Sequence, residues 1–343
     1  MRTVVLGKSG IAVSALGLGG IQFSKITKAE TAAVIHTAID LGINFLETAH
    51  GYFDSEEKMG HALRGKRQRV VLASKNGSRD GKTFTRRLEE SLKRLKTDVI
   101  DVYQLHAVDS EESLQEALAR GGAVGAAEKA VRQGKMRSLG ITSHSLELSL
   151  KALELDAFDS LQYPISLVNT EVPRSGLLGK ARRHDVGLIA MKPLGGGRIS
   201  QARLALGYIC RHRGVVPVVG VETPRQVRQL ARIADRPPTL TPEDFAEIRQ
   251  LRRTIGTTFC RACRYCEPCP QGISIFQVLY LPVYVKQMGA RRMLAAGLPG
   301  WLAKAERCTG CRLCESRCPF HLHIVDGLQE SLALTRRLKK KSR

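Results

Sequence analysis

An apolar run of strand length occupies residues 99–106, Val99-Ile-Asp-Val-Tyr-Gln-Leu-His106, between two amphipathic stretches, Lys82–Lys96 and Glu111–Gln133. The apolar run predicts a buried β-strand, and the flanking stretches have the apolar spacing of surface helices. Parallel strands need a crossover connection, so a strand between two helices is the repeating unit of a parallel sheet. The pattern of residues 82–133 therefore predicts an α/β fold.

The same alternation extends in both directions over residues 1–234. The further apolar runs are Ala15–Leu18, Ile43–Thr48, Val70–Lys75, Met136–Thr142, Ser160–Ile165, Gly187–Lys192 and Val215–Val221. Eight βα units in about 230 residues match the number and length of a (β/α)8 TIM barrel. A doubly wound open sheet is the alternative. Its first strand is usually followed by a Gly-x-Gly-x-x-Gly turn, and Gly17-Leu-Gly19-Gly20 lacks that spacing.

Both ends of the barrel sequence predict additional elements. Apolar pairs on either side of Gly7-Lys8-Ser9-Gly10 predict a hairpin over residues 2–14. Pro237-Pro238 ends the last barrel helix, because proline cannot continue a helix. Thr241-Pro242 then begins an extra helix that extends to about Arg253. The barrel domain is expected to cover residues 1–254.

Net charge and cysteine content are the unusual features of the composition. The 343 residues carry a net charge of +22 and nine cysteines, eight of which lie between residues 260 and 318. Residues 255–343 hold 15 basic and 5 acidic side chains, so the C-terminal quarter is more basic per residue than the rest. A basic surface attracts nucleic acid, anionic membranes or acidic proteins, and charge alone does not choose among them.

The hydropathy of the sequence indicates in which cellular compartment the protein is expected. No run of about 18 apolar residues is present, which excludes a transmembrane helix. The N-terminal apolar run is interrupted at Gly7 and Lys8, which makes it too short for a signal peptide. We therefore expect a cytoplasmic protein. Clustered cysteines in that compartment stay reduced and bind metal more often than they form disulfides.

The clustered cysteines form two tandem runs. They are Cys260-x2-Cys263-x2-Cys266-x2-Cys269-Pro270 and Cys308-x2-Cys311-x2-Cys314-x3-Cys318-Pro319. The second run has the spacing of bacterial ferredoxins, with the final Cys-Pro included, and the first differs by one residue in its last gap. This spacing predicts a small α-helical, ferredoxin-like iron–sulfur domain over residues 255–332. Residues 333–343 form a basic tail that we expect to be disordered.

The spacing also predicts which thiols share a cluster. Three cysteines at x2 spacing can hold three irons of a cubane, and the proline after each run turns the chain away. In two-cluster ferredoxins the fourth cysteine of each run binds the other cluster. We expect two 4Fe–4S clusters, one held by Cys260, Cys263, Cys266 and Cys318, the other by Cys308, Cys311, Cys314 and Cys269. Zinc is the alternative metal, but a zinc ribbon uses two separate Cys-x2-Cys pairs.

Titratable residues follow three successive barrel strands. The second strand ends at Glu47, with Tyr52 in the loop beyond it, the third ends at Lys75 and the fourth at His106. Barrel enzymes place their catalytic groups at these C-terminal strand ends. A lysine ammonium near a tyrosine phenol lowers the phenol pKa, so that the tyrosine can exchange a proton nearer neutral pH. The four side chains predict a site for acid–base chemistry.

With these residues in place, the sequence resembles the aldo/keto reductases over about residues 1–250. The resemblance rests on Phe45-Leu-Glu-Thr-Ala-His-Gly-Tyr52, Asp54-Ser-Glu-Glu-Lys-Met-Gly60, Ala73-Ser-Lys75, Asp101-Val-Tyr-Gln-Leu-His106, Gly140-Ile-Thr-Ser-His144, Gln162-Tyr-Pro164 and Met191-Lys-Pro-Leu-Gly-Gly-Gly197. The cysteine region resembles the ferredoxin-like domain that is fused to one branch of that family. The resemblance implies that Tyr52 is the general acid, supported by Lys75, Glu47 and His106.

The resemblance further implies a barrel that binds NADPH without a Rossmann fold. The nicotinamide contacts match Ser143, His144 and Gln162, and Met191 stands where an aromatic side chain normally stacks on the ring. The loop that begins at Gly195 and the basic residue Arg225 are candidates for phosphate contacts.

Two positions depart from the family pattern. Glu47 replaces the usual aspartate. Glu222 would repel a 2′-phosphate, so NADH is the alternative cofactor and Arg225 the compensating residue.

The two modules together predict an iron–sulfur oxidoreductase that acts on a small carbonyl or hydroxyl substrate. Its electrons would come from a nicotinamide or a ferredoxin. The alternative is an electron-transfer or redox-sensing protein whose barrel is only a scaffold. Arginines among the cysteines either offset the negative charge of thiolate-bound clusters or bind an acidic ferredoxin or flavodoxin as partner. The sequence has no RNP or helix-turn-helix motif, so a nucleic acid is not the expected partner.

Overall fold

The computed structural model describes residues 1–255, 259–295 and 300–341. The chain divides into two compact units, Met1–Phe245 and Ala246–Arg343. The division falls within the extra helix, α10, that the sequence predicts after the barrel and that spans Pro242–Ile255. The sequence-based domain boundary, residue 254, lies near the end of the same helix.

The first unit is a closed barrel of eight parallel strands. After the N-terminal hairpin these are β3 Gly17–Gly19, β4 Phe45–Glu47, β5 Val71–Asn76, β6 Ile100–Leu105, β7 Met136–Thr142, β8 Ser160–Pro164, β9 Gly187–Met191 and β10 Val215–Gly220. Each strand pairs with its neighbours in sequence, and β10 pairs with β3 to close the ring. The predicted (β/α)8 barrel is confirmed, and the open-sheet alternative is excluded.

Helices connect the strands on the outside of the barrel. They are α1 Lys28–Asp40, α2 Ser55–Ala62, α3 Gly81–Leu95, α4 Glu111–Leu118, α5 Ala123–Arg132, α6 Leu146–Ala152, α7 Leu177–Arg183, α8 Ala202–Cys210 and α9 Pro224–Asp235. The prediction of one helix over Glu111–Gln133 is wrong, because two glycines separate α4 from α5. Gly121 has a φ of 81°, and a Cβ at Gly122 would lie 2.5 Å from the Ala117 carbonyl oxygen.

The N-terminal hairpin closes one end of the barrel. Its strands are β1 Thr3–Val5 and β2 Ala12–Ser14, and they pair antiparallel as the sequence predicts. Apolar side chains of the hairpin pack in one core cluster with inward-facing residues near the start of the barrel strands: Leu6, Ile11, Val13, Phe45, Ala73, Val102, Ile189, Val216 and Val218. The hairpin therefore covers the N-terminal ends of the strands and leaves the C-terminal ends for a site.

The second unit is helical outside its cysteine loops. After α10 it contains α11 Ile275–Met288, α12 Ala290–Ala295, α13 Trp301–Ala305, α14 Leu313–Ser316 and α15 Ile324–Lys341. The expectation of a disordered tail is wrong as far as residue 341, and residues 342–343 lie outside the described part. Leu332, Thr335 and Leu338 are buried at helical spacing, so one face of α15 packs although its other face is strongly basic.

No helix in the described ranges is long and apolar enough to cross a membrane.

Candidate functional site

Glu47 and Lys75 form a buried ion pair inside the barrel. Side chains alternate along a strand, so the inward positions of Phe45 and Ala73 also turn Glu47 and Lys75 inward. The Lys75 Nζ contacts Glu47 Oε1 and donates a hydrogen bond of 2.8 Å to the Thr48 carbonyl oxygen. Both charged side chains are almost fully buried, at 2% and 5% exposure for Lys75 and Glu47. The structure thus brings together two of the predicted site residues.

Tyr52 and His106 complete the group at the C-terminal end of the barrel. The Lys75 Nζ lies 4.9 Å from the centroid of the Tyr52 ring. The Tyr52 and His106 rings meet edge to face with their centroids 6.0 Å apart. The backbone N–H of His106 donates to the Asn76 carbonyl oxygen at 2.8 Å, which ties the end of β6 to β5. All four residues that the sequence predicts as an acid–base set therefore converge.

The protonation of this group follows from burial and charge. Burial lowers the pKa of Lys75, and the adjacent Glu47 carboxylate opposes that shift. Burial and the nearby Lys75 charge hold the pKa of His106 well below its usual value. His106 is therefore a neutral imidazole at neutral pH, able to donate one hydrogen bond and accept another. Such a group can orient a substrate oxygen without adding a second positive charge.

Gln162 is a further part of the ion-pair network. Its side-chain amide, on β8, donates a hydrogen bond of 3.0 Å from Nε2 to Glu47 Oε1. The resemblance assigns Gln162 to the nicotinamide, whereas here its amide nitrogen lies on the buried carboxylate. A Cβ added at Gly19 would lie 3.6 Å from Glu47 Oε2, so the β3 backbone approaches the other carboxylate oxygen. Glu47 is enclosed on several sides despite its extra methylene.

A second polar cluster involves two residues that the sequence analysis missed, Asp109 and Lys192. Asp109 accepts hydrogen bonds from the His144 backbone N–H at 2.6 Å and from the Ser143 hydroxyl at 3.2 Å, and it contacts His144 Nδ1 at 3.3 Å. The Lys192 Nζ lies 2.8 Å from His144 Nε2. An ammonium has only donors, so Nε2 accepts and Nδ1 carries the proton toward Asp109. The predicted nicotinamide residues Ser143 and His144 are therefore held in one fixed orientation.

The remaining predicted cofactor residues lie on other loops. Met191 ends β9, and Gly195, Gly196 and Gly197 follow it with φ values of 57°, 68° and 87°. A loop without side chains in this left-handed region lets the backbone approach a ligand closely. Arg225 is exposed in the first turn of α9. In the described residues, no hydrogen bond or ion pair joins Met191, Gly195 or Arg225 to the four acid–base residues.

Glu222 is paired with a lysine rather than left as an isolated negative charge. The Lys25 Nζ forms an ion pair with Glu222 Oε1. Lys25 precedes helix α1, and Glu222 follows strand β10. Residues so far apart in sequence form no local pattern from which this ion pair could be predicted. The carboxylate that the sequence analysis expected to repel a 2′-phosphate is therefore offset by an adjacent positive charge.

The first cysteine set, defined as Cys260, Cys263, Cys266 and Cys318, gathers in the second unit. Burial raises the pKa of Cys266, and the neighbouring thiols of the other three members raise it further. The backbone N–H of Ala262 donates to Cys260 Sγ at 3.3 Å, and Ala262 has a φ of 62°. The left-handed turn therefore directs an amide at a sulfur, an arrangement that stabilises a thiolate.

The second cysteine set, defined as Cys269, Cys308, Cys311 and Cys314, lines one pocket of the same unit together with Pro268, Pro270 and Arg312. Burial raises the pKa of Cys314, and Cys269 is among the charges that add to the rise. Cys269 from the first run thus lies with three thiols of the second. The structure therefore brings the thiols together in these two sets, and Cys266 of the first set also lines this pocket.

All-thiolate donor sets of this kind suit iron–sulfur clusters. Over the described ranges, no three Cys, His, Asp or Glu side chains have the spacing of a single-ion site. A cubane carries its four thiolates on four separate iron atoms, which requires a wider spacing than one ion does.

Comparison with known proteins agrees with both units. The aldo/keto reductase family matches residues 15–203, and a 4Fe-4S dicluster domain matches residues 259–323. A 6-dehydroglucose reductase from Novosphingobium aromaticivorans is 30% identical over 277 residues, which cover 67% of this chain and 87% of that protein.

Solved structures show the same relationship. An aldo/keto reductase from Klebsiella pneumoniae in complex with NADPH is 28% identical, with a TM-score of 0.63 over 74% of this chain and 95% of that one. An aldo/keto reductase from Bacillus halodurans, in its holo form, is 26% identical, with a TM-score of 0.63 over 73% and 96% of the two chains. The chain belongs to the aldo/keto reductase family and is an oxidoreductase of that type with a C-terminal 4Fe-4S dicluster domain.

Proposed function

We propose that the protein interconverts a small carbonyl and its alcohol at the barrel, with a nicotinamide as hydride carrier and Tyr52 as the proton donor. The observation that carries the proposal is the convergence of Tyr52, Lys75, Glu47 and His106 at the open end of the barrel. Hydride transfer to a carbonyl carbon leaves charge on its oxygen. A phenol beside an ammonium is suited to protonate that oxygen.

Each residue of the site has a distinct task in this proposal. Tyr52 gives its hydroxyl proton to the substrate oxygen, and the Lys75 ammonium next to its ring stabilises the phenolate that remains. Glu47 holds Lys75 in place and keeps it charged. Neutral His106, in contact with the Tyr52 ring, orients the substrate oxygen by a hydrogen bond. In the direction of alcohol oxidation, the Tyr52 phenolate takes the proton back.

Residues for the nicotinamide lie on the neighbouring strand ends. The nicotinamide, when bound, supplies a hydride, that is, two electrons and a proton equivalent. Ser143 and His144 are oriented by Asp109 and offer polar contacts to its carboxamide. Met191 offers an apolar surface for the ring, and the Gly195 loop offers backbone approach to phosphates. Arg225 and the Lys25–Glu222 pair favour NADPH over NADH, since they leave no unpaired carboxylate there.

We further propose that the second unit holds two 4Fe–4S clusters, one on each cysteine set. Hydride chemistry moves two electrons together, whereas these clusters pass electrons singly. Coupling them therefore needs a group that can do both, such as a flavin or a redox-active substrate. An acidic ferredoxin or flavodoxin would exchange electrons with the clusters from outside. Eight closely spaced thiols remain available to iron only in a reducing compartment, which supports a cytoplasmic location.

The scaffold alternative finds less support in the side-chain contacts. The departures from the family pattern at Glu47 and Glu222 are the features that would favour it, and each is accommodated by a lysine partner, Lys75 or Lys25. A barrel that served only as a scaffold would have no need for a buried ion pair beneath an active-site tyrosine, because burying charges costs free energy.

An anaerobic titration of the iron-loaded protein with NADPH, then NADH, tests the coupling of the two units. The broad visible absorbance of the clusters is followed, and dithionite serves as the reference reductant. A decrease in absorbance with NADPH supports the coupling. A decrease with dithionite alone argues against it and leaves a reduced ferredoxin as the electron donor.

A further inference from the structure

The two cysteine sets differ in their exposure to solvent. In the first set, Cys266 and Cys318 are buried. In the second set none of the four thiols is buried, and Cys311 is exposed. Electron transfer between proteins requires close approach, so a cluster on the second set is the one that another protein can reach from the surface.

The arginines beside the two sets differ in the same way. Arg261, in the first cysteine run, is 8% exposed, and its guanidinium lies 3.6 Å from the centroid of the Phe320 ring. Arg264 lies over the Phe276 ring at 4.4 Å. Both guanidinium groups pack on aromatic rings of the same unit, where they can offset the negative charge of thiolate-bound clusters.

Three arginines of the second cysteine run are instead exposed. Arg307 directly precedes Cys308, Arg312 lies between Cys311 and Cys314, and Arg317 precedes Cys318; all three are exposed. Leu313, next to Arg312, is an exposed large apolar side chain at 38%. Arg317 donates a hydrogen bond of 3.1 Å to the Pro268 carbonyl oxygen, which connects this surface to the Cys269 loop. Exposed arginines offset little buried charge, because solvent screens them.

We propose that an acidic one-electron carrier protein docks on the surface formed by Arg307, Arg312, Leu313 and Arg317. The carrier exchanges electrons with the cluster that the second cysteine set holds. The inference rests on the proposed two-cluster assignment. In this exchange one carrier molecule loses one electron as the cluster on the second set gains it, or the reverse, and no proton is transferred. The hydride for carbonyl reduction at the barrel still comes from the nicotinamide.

Charge and the exposed apolar side chain of Leu313 favour a protein carrier over other partners. Basic residues around an exposed apolar side chain complement the acidic surface of such carriers, and they raise the rate and specificity of encounter. The basic face of α15, with exposed Arg336, Arg337 and Lys340, serves as an internal comparison, because this helix contains no cysteine. Both faces belong to the same unit, and three basic residues are substituted on each.

The test measures binding of a purified acidic plant-type ferredoxin to the iron-loaded, full-length protein under anaerobic conditions. The triple variant R307E/R312E/R317E is compared with the matched control R336E/R337E/K340E by titration calorimetry at low and moderate salt. We expect the first variant to weaken binding by about 10- to 100-fold and the control by less than about threefold. Wild-type binding is expected to weaken as salt rises.

Equal losses in the two triple variants would overturn the proposal, as would no loss in the first. Stronger binding of a DNA duplex than of ferredoxin to this face would overturn it as well. Iron content and the visible spectrum show whether a variant keeps its clusters. If the triple variant loses them, Leu313→Asp is used instead, with a weaker loss of binding expected. Tyr52→Phe should bind ferredoxin as the wild type does, so failure of the barrel chemistry leaves this test intact.

Discussion

The side-chain amide of Gln162 donates a 3.0 Å hydrogen bond to Oε1 of Glu47, across the interior of the barrel from β8 to β4. The same carboxylate oxygen contacts the Lys75 ammonium. Glu47 therefore satisfies two donors with one oxygen, and its position is fixed although its side chain is longer than the aspartate of the family. The ion pair, rather than the length of the acidic side chain, sets the position of Lys75 beside Tyr52.

Removing the Glu47 charge is expected to destabilise the barrel and impair the reaction. Glu47→Gln leaves the Lys75 ammonium buried without a counter-ion, which typically costs about 3–5 kcal/mol. Glu47→Asp keeps the charge and should lose less stability and less activity. Denaturant unfolding and carbonyl reduction of both variants test this. Equal stability of Glu47→Gln and the wild type would show that the pair does not hold the site.

Gln162 is expected to act on turnover through the Glu47 carboxylate. Gln162→Leu removes one hydrogen bond and should lower kcat by about 3- to 10-fold. Gln162→Glu places a second carboxylate beside Glu47 and should be more harmful, because like charges in a buried site repel. The pH profile of kcat separates this from a packing defect. A change in the KM for nicotinamide alone, with kcat unchanged, would assign Gln162 to the cofactor instead.

The low pKa of His106 predicts a specific loss of stability in acid. The folded protein keeps this imidazole neutral, whereas the unfolded chain binds a proton near pH 6.5. Unfolding therefore takes up a proton as the pH falls below about 6.5, and the contribution of His106 to stability declines from that pH downward. Melting temperatures between about pH 5 and 8 should fall less steeply for His106→Asn than for the wild type.

An acid-side slope that is identical in His106→Asn and the wild type would contradict a neutral His106 in the folded protein.

Cofactor choice is expected to depend on Arg225 and on the Lys25–Glu222 pair. Arg225→Ala should raise the KM for NADPH about tenfold and leave the KM for NADH nearly unchanged, because only NADPH carries the extra phosphate. Glu222→Gln releases Lys25 from its ion pair and should shift the preference further toward NADPH. If Arg225→Ala raised the KM for NADPH and the KM for NADH equally, Arg225 would not be a residue that recognises the 2′-phosphate.

Cysteine variants test the exchange of ligands between the two runs. Cys318→Ser should alter the same cluster as Cys260→Ser, and Cys269→Ser the same cluster as Cys308→Ser. Electron paramagnetic resonance of the reduced proteins distinguishes the two clusters. If the spectrum of Cys318→Ser instead showed the same altered cluster as that of Cys308→Ser, each cysteine run would hold its own cluster.

The sequence was sufficient for the barrel because eight apolar runs at regular spacing specify eight strands. Local periodicity could not show that Gly121 adopts a left-handed conformation and divides the predicted fourth helix. It also could not show the helical tail, where buried Thr335 and Leu338 outweigh a charge run that suggests disorder.

Some residues of the candidate site could be predicted from the sequence, and others could not. Tyr52, Lys75 and His106 lie on neighbouring strand ends, so strand order alone predicts their proximity. Asp109, Lys192 and Lys25 escaped prediction because their partners are distant in sequence: Lys25 and Glu222 are 197 positions apart. Only the closure of the barrel brings such loops together.

In the proposed reaction, Tyr52 protonates a carbonyl oxygen during nicotinamide-dependent reduction. The most direct measurement is anaerobic NADPH oxidation with a panel of aldehydes, ketones and oxidised sugars, for the wild type, Tyr52→Phe and the control Tyr208→Phe. We expect turnover by the wild type and the control, and a loss of about 10²- to 10⁴-fold in Tyr52→Phe with NADPH binding retained. Turnover by Tyr52→Phe at the wild-type rate would contradict it.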